Sequence, residues 1–102
     1  MDQQTHTFSP QQINEGLYAA GYSLLEKDMV AQAAAVFRLL LTRAPLQSRS
    51  WVALGYCHER CDDLDVAAWL YERGAELCDD SDPHLLAALQ RVSCANHGQV
   101  QP

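Results

Sequence analysis

The feature that most constrains this chain is an internal likeness: Gly21 and Gly55 stand 34 positions apart, and their neighbours keep the same chemistry at the same offset. Ala19 pairs with Ala53, Ala20 with Leu54, Tyr22 with Tyr56, Leu17 with Trp51 and Leu24 with His58. Further on, Ala33 pairs with Ala67, Ala34 with Ala68, Val36 with Leu70 and Phe37 with Tyr71. One more step of the same size lands on Leu85, Ala87, Ala88, Leu89 and Val92, apolar throughout but without the glycine. A unit of this length holds a pair of short helices that cannot bury its apolar face alone and must stack on a neighbour. The chain therefore reads as two helical units and one further helix.

Within the unit, Trp51-x2-Leu54-Gly55-x2-His58 resembles the first-helix signature of a tetratricopeptide repeat, W-x2-L-G-x2-Y, with a histidine in the last place. The expected fold is all-α and TPR-like. A single domain spans about 9–97, with helix-turn-helix repeats at about 14–47 and 48–81 and a capping helix at about 82–96. Residues 1–8 and 98–102 read as flexible tails. Ser9-Pro10 marks the first helix start, and Asp82-Pro83 the last. Asp28, Ser48 or Ser50, and Asp62 or Asp63 are the expected caps between them. Gly21, Ala33, Phe37, Trp51, Leu54, Gly55, Ala67 and Tyr71 are assigned to packing, with each glycine facing the small alanine of its partner helix. Gly74 is irregular and marks a close contact or a bend.

One hundred and two residues suffice for one small domain. Thirteen acidic against seven basic residues, a formal charge of −6, argue against nucleic acid or an anionic membrane as partner. The first seven residues lack the cationic start and apolar run of a secretion signal, so the expected location is the cytosol. There the four cysteines are expected to stay reduced.

The repeat register projects one set of first-helix side chains toward an inner face. From the first unit these are Glu15, Tyr18, Tyr22 and Leu25; from the second, Arg49, Val52, Tyr56 and Glu59; from the last helix, Leu86, Gln90 and Ser93. Tyrosine joins an apolar ring to a polar tip with few bonds to freeze, which suits it to gripping a partner segment. Cys57-His58-x2-Cys61 invites a zinc reading, but a buried cysteine and a core histidine fit the register better. No nucleophile elbow or phosphate loop is present, the histidines are scattered, and the acidic residues fall at helix starts, where the helix dipole favours them. The expectation is neither enzyme, nor metal, nor cofactor.

Taken together, Leu17-Tyr18-x2-Gly21, Ala33-x2-Val36-Phe37-x2-Leu40, Ser48-Arg49-x-Trp51-x2-Leu54-Gly55-x-Cys57-x-Glu59 and Ala67-x3-Tyr71-x2-Gly74-Ala75 resemble the class II chaperones of bacterial type III secretion. The resemblance implies a cytosolic chaperone that masks a secreted protein substrate, a hydrophobic translocator, in a concave groove. Members of that family continue into a complete third repeat, where this chain has one helix. The short length makes a chaperone of a needle subunit or other early substrate, working with a second small co-chaperone or as a homodimer, the competing expectation. A generic scaffold joining two proteins is the remaining alternative.

Overall fold

The computed structural model describes residues 7–78 and 82–99, and among these it holds five helices and no strand. They are α1 (Pro10–Glu26), α2 (Val30–Arg43), α3 (Ser48–Arg60), α4 (Leu64–Leu77) and α5 (Pro83–Gln99). The tail residues 1–6 and 100–102 and the acidic pair Asp79-Asp80 lie outside the described residues. α1 packs on α2 and α3 on α4 as two hairpins, α2 joins them through α3, and α5 lies against α4 and α3. None of these helices is long and apolar enough to cross a membrane.

α1 opens on a reciprocal cap: Ser9 Oγ accepts from the Gln12 N–H (3.1 Å) and Gln12 Oε1 from the Ser9 N–H (2.8 Å), while Pro10 sits where its missing N–H costs nothing. The two hairpin turns are built alike, and neither Asp28 nor Asp62 is an N-cap. Asp28 (φ 60°) and Asp62 (φ 63°) are left-handed residues that end α1 and α3. The Met29 N–H reaches the Leu24 carbonyl and the Asp28 N–H that of Leu25; Asp63 and Asp62 reach His58 and Glu59 in the same way. These are the paired bonds of a Schellman turn, and aspartate tolerates its left-handed position better than most side chains. The next helix starts one residue later, with Met29 and Asp63 at the cap position and no side-chain cap bond at either.

Ser48 and Ser50 are likewise not caps, because α3 already includes both and begins after Gln47. They tie elements together instead: Ser48 Oγ donates to Asp82 Oδ2 (2.5 Å), and Ser50 Oγ to the Ala44 carbonyl (3.1 Å). Trp51 Nε1 donates to the Pro45 carbonyl (2.8 Å), so the first turn of α3 pins the loop that leads into it. At α5, Asp82 does cap: its Oδ1 accepts from the His84 N–H at 2.8 Å. α5 runs to Gln99, past the end expected near Asn96, since one glycine near a helix end costs only about 1 kcal/mol.

Two apolar clusters form the core. One gathers Phe37, Leu40, Trp51, Leu54 and Cys57 among α1 to α4; the other joins Ala67 and Tyr71 of α4 to Leu85, Ala88 and Val92 of α5. Each hairpin glycine makes room for an aromatic ring, not for a facing alanine. A Cβ at Gly21 would collide with the Phe37 ring, and one at Gly55 with the Tyr71 ring. Gly74 follows the same logic, since its Cβ would lie 2.7 Å from that of Trp51. Ala33 and Ala67 are fully buried beside these contacts.

Candidate functional site

The first helices α1, α3 and α5 stand side by side, and polar bonds between them set their spacing. Tyr18 Oη lies 2.9 Å from Ser50 Oγ, Arg49 Nη1 donates to both carboxylate oxygens of Glu15 (3.1 and 3.0 Å), and Arg91 of α5 grips Glu59 of α3. Arg60 adds a bond from Nη2 to Asp28 at 2.6 Å. Each of these pairs joins residues about one repeat apart in sequence.

Along this row run two adjoining cavities. The first, about 350 Å³, is lined by Tyr22, Arg49, Val52, Asp82 and His84. The second, about 290 Å³, is lined by Tyr22, Val52, Ala53, Tyr56, His84, Ala87 and Arg91. They share Tyr22, Val52 and His84 and so form one groove. Tyr22 and Tyr56 are 38% and 40% exposed, which leaves their rings open to a partner.

Of the side chains assigned to the inner face from sequence, Tyr22, Arg49, Val52 and Tyr56 line the groove. Tyr18 does not: it is 1% exposed, in the core between α1 and α3, with Ser50 satisfying its hydroxyl. Burial, outweighing the Ser50 bond and the Arg49 charge, pushes its phenol up. Leu25, about two turns further along α1, is also core. Glu59 is half-buried and committed, accepting from Arg91 Nε (2.8 Å) and Nη2 (2.9 Å) and from Tyr71 Oη (2.9 Å). The Arg91 bonds foremost, with Tyr71's, hold its carboxyl below the usual range against the opposing effect of burial. Tyr71 is pushed far up, by burial first and then by donating to that carboxylate.

Leu86 is exposed and lines neither cavity; α5 faces the groove with His84, Ala87 and Arg91. These three share one helix face at steps of three and four. The sequence reading missed them because their equivalents on α3, Ser50, Ala53 and Cys57, are buried against the preceding elements. The signal available was the change of chemistry at those positions, from small residues on α3 to histidine and arginine on α5. Ala53 and Asp82 are the other omissions, and Asp82 lines only the first cavity. Burial raises its carboxyl, but the bonds from Ser48 and the His84 N–H outweigh this and leave it lowered.

His58 is not a core residue: its side chain is 26% exposed and Nδ1 stands 3.6 Å from Asp63 Oδ2. Cys57 is buried, and burial pushes its thiol up to about 11, which makes it a poor nucleophile and a poor ligand at neutral pH. Among the described residues, no three His, Cys, Asp or Glu side chains are grouped as a metal site requires.

The class these observations define is an all-helical array of two hairpins and a fifth helix, with a groove across its first helices. No protein-family model, curated protein or solved structure matches the chain.

Proposed function

We propose that the chain is a TPR-like binding module that holds a segment of a partner protein in the groove of α1, α3 and α5, and that it serves as a chaperone for an exported protein. The observation that carries the reading is the groove itself. Two exposed tyrosine rings stand over adjoining cavities with Val52 and Ala87 between them, a surface that offers apolar contact and hydroxyl tips to a chain lacking a fold of its own. Each cavity is large enough for a large apolar side chain. The groove's arginines are paired with carboxylates, and masking an aggregation-prone segment requires contact without chemistry. The resemblance in sequence to secretion chaperones of translocators, or of needle subunits, supplies the cargo class.

Co-purification from the native cell, with the retained protein identified by mass spectrometry, tests the proposal. The double variant Tyr22→Ala with Tyr56→Ala is expected to lose the partner while keeping its helical circular dichroism spectrum. Undiminished retention by that variant would remove the groove from the function. A second reading, a scaffold that joins two proteins, is favoured by Trp69 and Val66, which stand exposed one turn apart on α4 away from the groove. It predicts retention of a second protein that Trp69→Ala loses.

A further inference from the structure

The two arginines of the groove are held in opposite ways. Arg91 points both arms of its fork, Nε and Nη2, at the two oxygens of Glu59, and Glu59 is half-buried and also bound by Tyr71. Drawing Arg91 toward a ligand would strand a carboxylate away from water, a costly exchange. Arg49 uses a single nitrogen, Nη1, for both oxygens of Glu15, and that carboxylate is 64% exposed. Glu15 can therefore turn into water at little cost. The Arg49 guanidinium would not follow it, because it lies over the buried Tyr18 ring at 3.7 Å from the centroid. Nε and Nη2 of Arg49, the edge that binds a carboxylate with two parallel bonds, donate to no other described residue. The one carboxylate among the described residues lining that cavity, Asp82, accepts at both oxygens, from Ser48 and from the His84 N–H. Arg60 lies 5.9 Å from the Tyr56 ring centroid, but it is tied to Asp28 and lines neither cavity.

Resting on the groove reading above, we propose that Arg49 is the charged anchor of the groove, taking one carboxylate of an acidic side chain in an otherwise apolar partner segment. The chain's own charge of −6 selects against a strongly acidic partner, so a single carboxylate beside apolar anchors is the fitting pattern.

The test is panning of a random peptide library, displayed on phage, over the full chain, its Tyr22→Ala/Tyr56→Ala variant, Arg49→Gln and Glu15→Gln. The wild type is expected to enrich apolar peptides carrying one acid at a fixed offset, and Arg49→Gln to enrich apolar peptides without it. For a peptide so selected and synthesised, replacing its acid by the amide should weaken binding to the wild type about three- to tenfold and to Arg49→Gln hardly at all. Glu15→Gln, which removes the resident carboxylate, should tighten the acidic peptide; a purely structural Arg49–Glu15 pair would not produce that gain. Enrichment of apolar peptides with no acid preference, or the same preference in Arg49→Gln, overturns the inference and leaves the groove reading standing. If the tyrosine variant enriches the same peptides as the wild type, the groove reading fails and this inference with it.

Discussion

The two hairpins are closed by the same device and differ in what surrounds it. In each, a glycine of the first helix admits an aromatic ring from the second: Gly21 and Phe37, then Gly55 and Tyr71. Phe37 is completely buried, has no polar atom to satisfy, and meets the Tyr22 ring at 5.2 Å with a 59° tilt. Tyr71 is equally buried but carries its hydroxyl to Glu59, which Arg91 of α5 also holds. Bulk is also redistributed. Trp51 against Gly74 in the second hairpin stands where the first has Leu17 and Leu40. The difference teaches that a ring in a glycine notch closes a hairpin by fit alone, whereas one added hydroxyl lets the second hairpin hold the next helix.

The comparison breaks most readily at the glycines. Gly55→Leu is expected to overpack the Tyr71 ring and cost about 1–3 kcal/mol or more, with Gly21→Leu in the same range against Phe37. Thermal melting reads both, and shrinking the ring in Gly55→Ala/Tyr71→Leu should recover part of the loss of Gly55→Ala. Unchanged melting of Gly55→Leu would mean that the notch is not a packing site.

Exchanging the rings sharpens the contrast. Phe37→Tyr places a hydroxyl in a fully buried apolar site and should cost about 1–3 kcal/mol. Tyr71→Phe removes a donor from Glu59 and should cost about 1 kcal/mol in denaturant titrations, with a smaller penalty once Glu59 is Gln. Equal penalties in both backgrounds would show that the hydroxyl does not act through Glu59.

Acid should expose the network more gently. Glu59 has a lowered folded pKa, so its contribution is fully present above the ordinary carboxylate value of about 4.3 and is lost as pH falls through the lower folded value. Asp82 is shifted in the same sense and adds to it. Wild-type melting should drop more steeply than that of Glu59→Gln on acidification below that value; parallel curves would remove Glu59 from the linkage. The smallest effect on the fold belongs to the groove: Tyr56→Ala should cost about 0.5 kcal/mol, and Tyr22→Ala, which also gives up its contact with the Phe37 ring, about 1 kcal/mol. A collapse of the double variant would return these rings to the core.

Most of the architecture was readable in the chain because it follows from local rules. Periodicity and turn chemistry placed the five helices, and Ser9-Pro10 and Asp82-Pro83 marked real starts. Of the expected inner caps Asp63 holds its place, without a side-chain bond, whereas Asp28 does not: the same aspartate chemistry suits an N-cap and a left-handed helix end, and only the three-residue reach between helices decides which. The groove was half legible. Tyr22, Arg49, Val52 and Tyr56 followed from the register, whereas Tyr18 went to the core because Ser50, on another helix, offers its hydroxyl a buried partner.

What the sequence determined by itself is therefore the number, kind and order of the helices and the notch at each hairpin, since these rest on contacts close along the chain or repeated at one offset. Which inward side chains are open and which are spent was decided by tertiary structure. Arg49 and Glu59 belong to the same register series on one helix, yet Nε and Nη2 of the first donate to no described residue while the second is locked between Tyr71 and Arg91. Exposure and hydrogen-bond saturation depend on what neighbouring helices bring to within 3 Å, and no spacing along one strand of sequence encodes that.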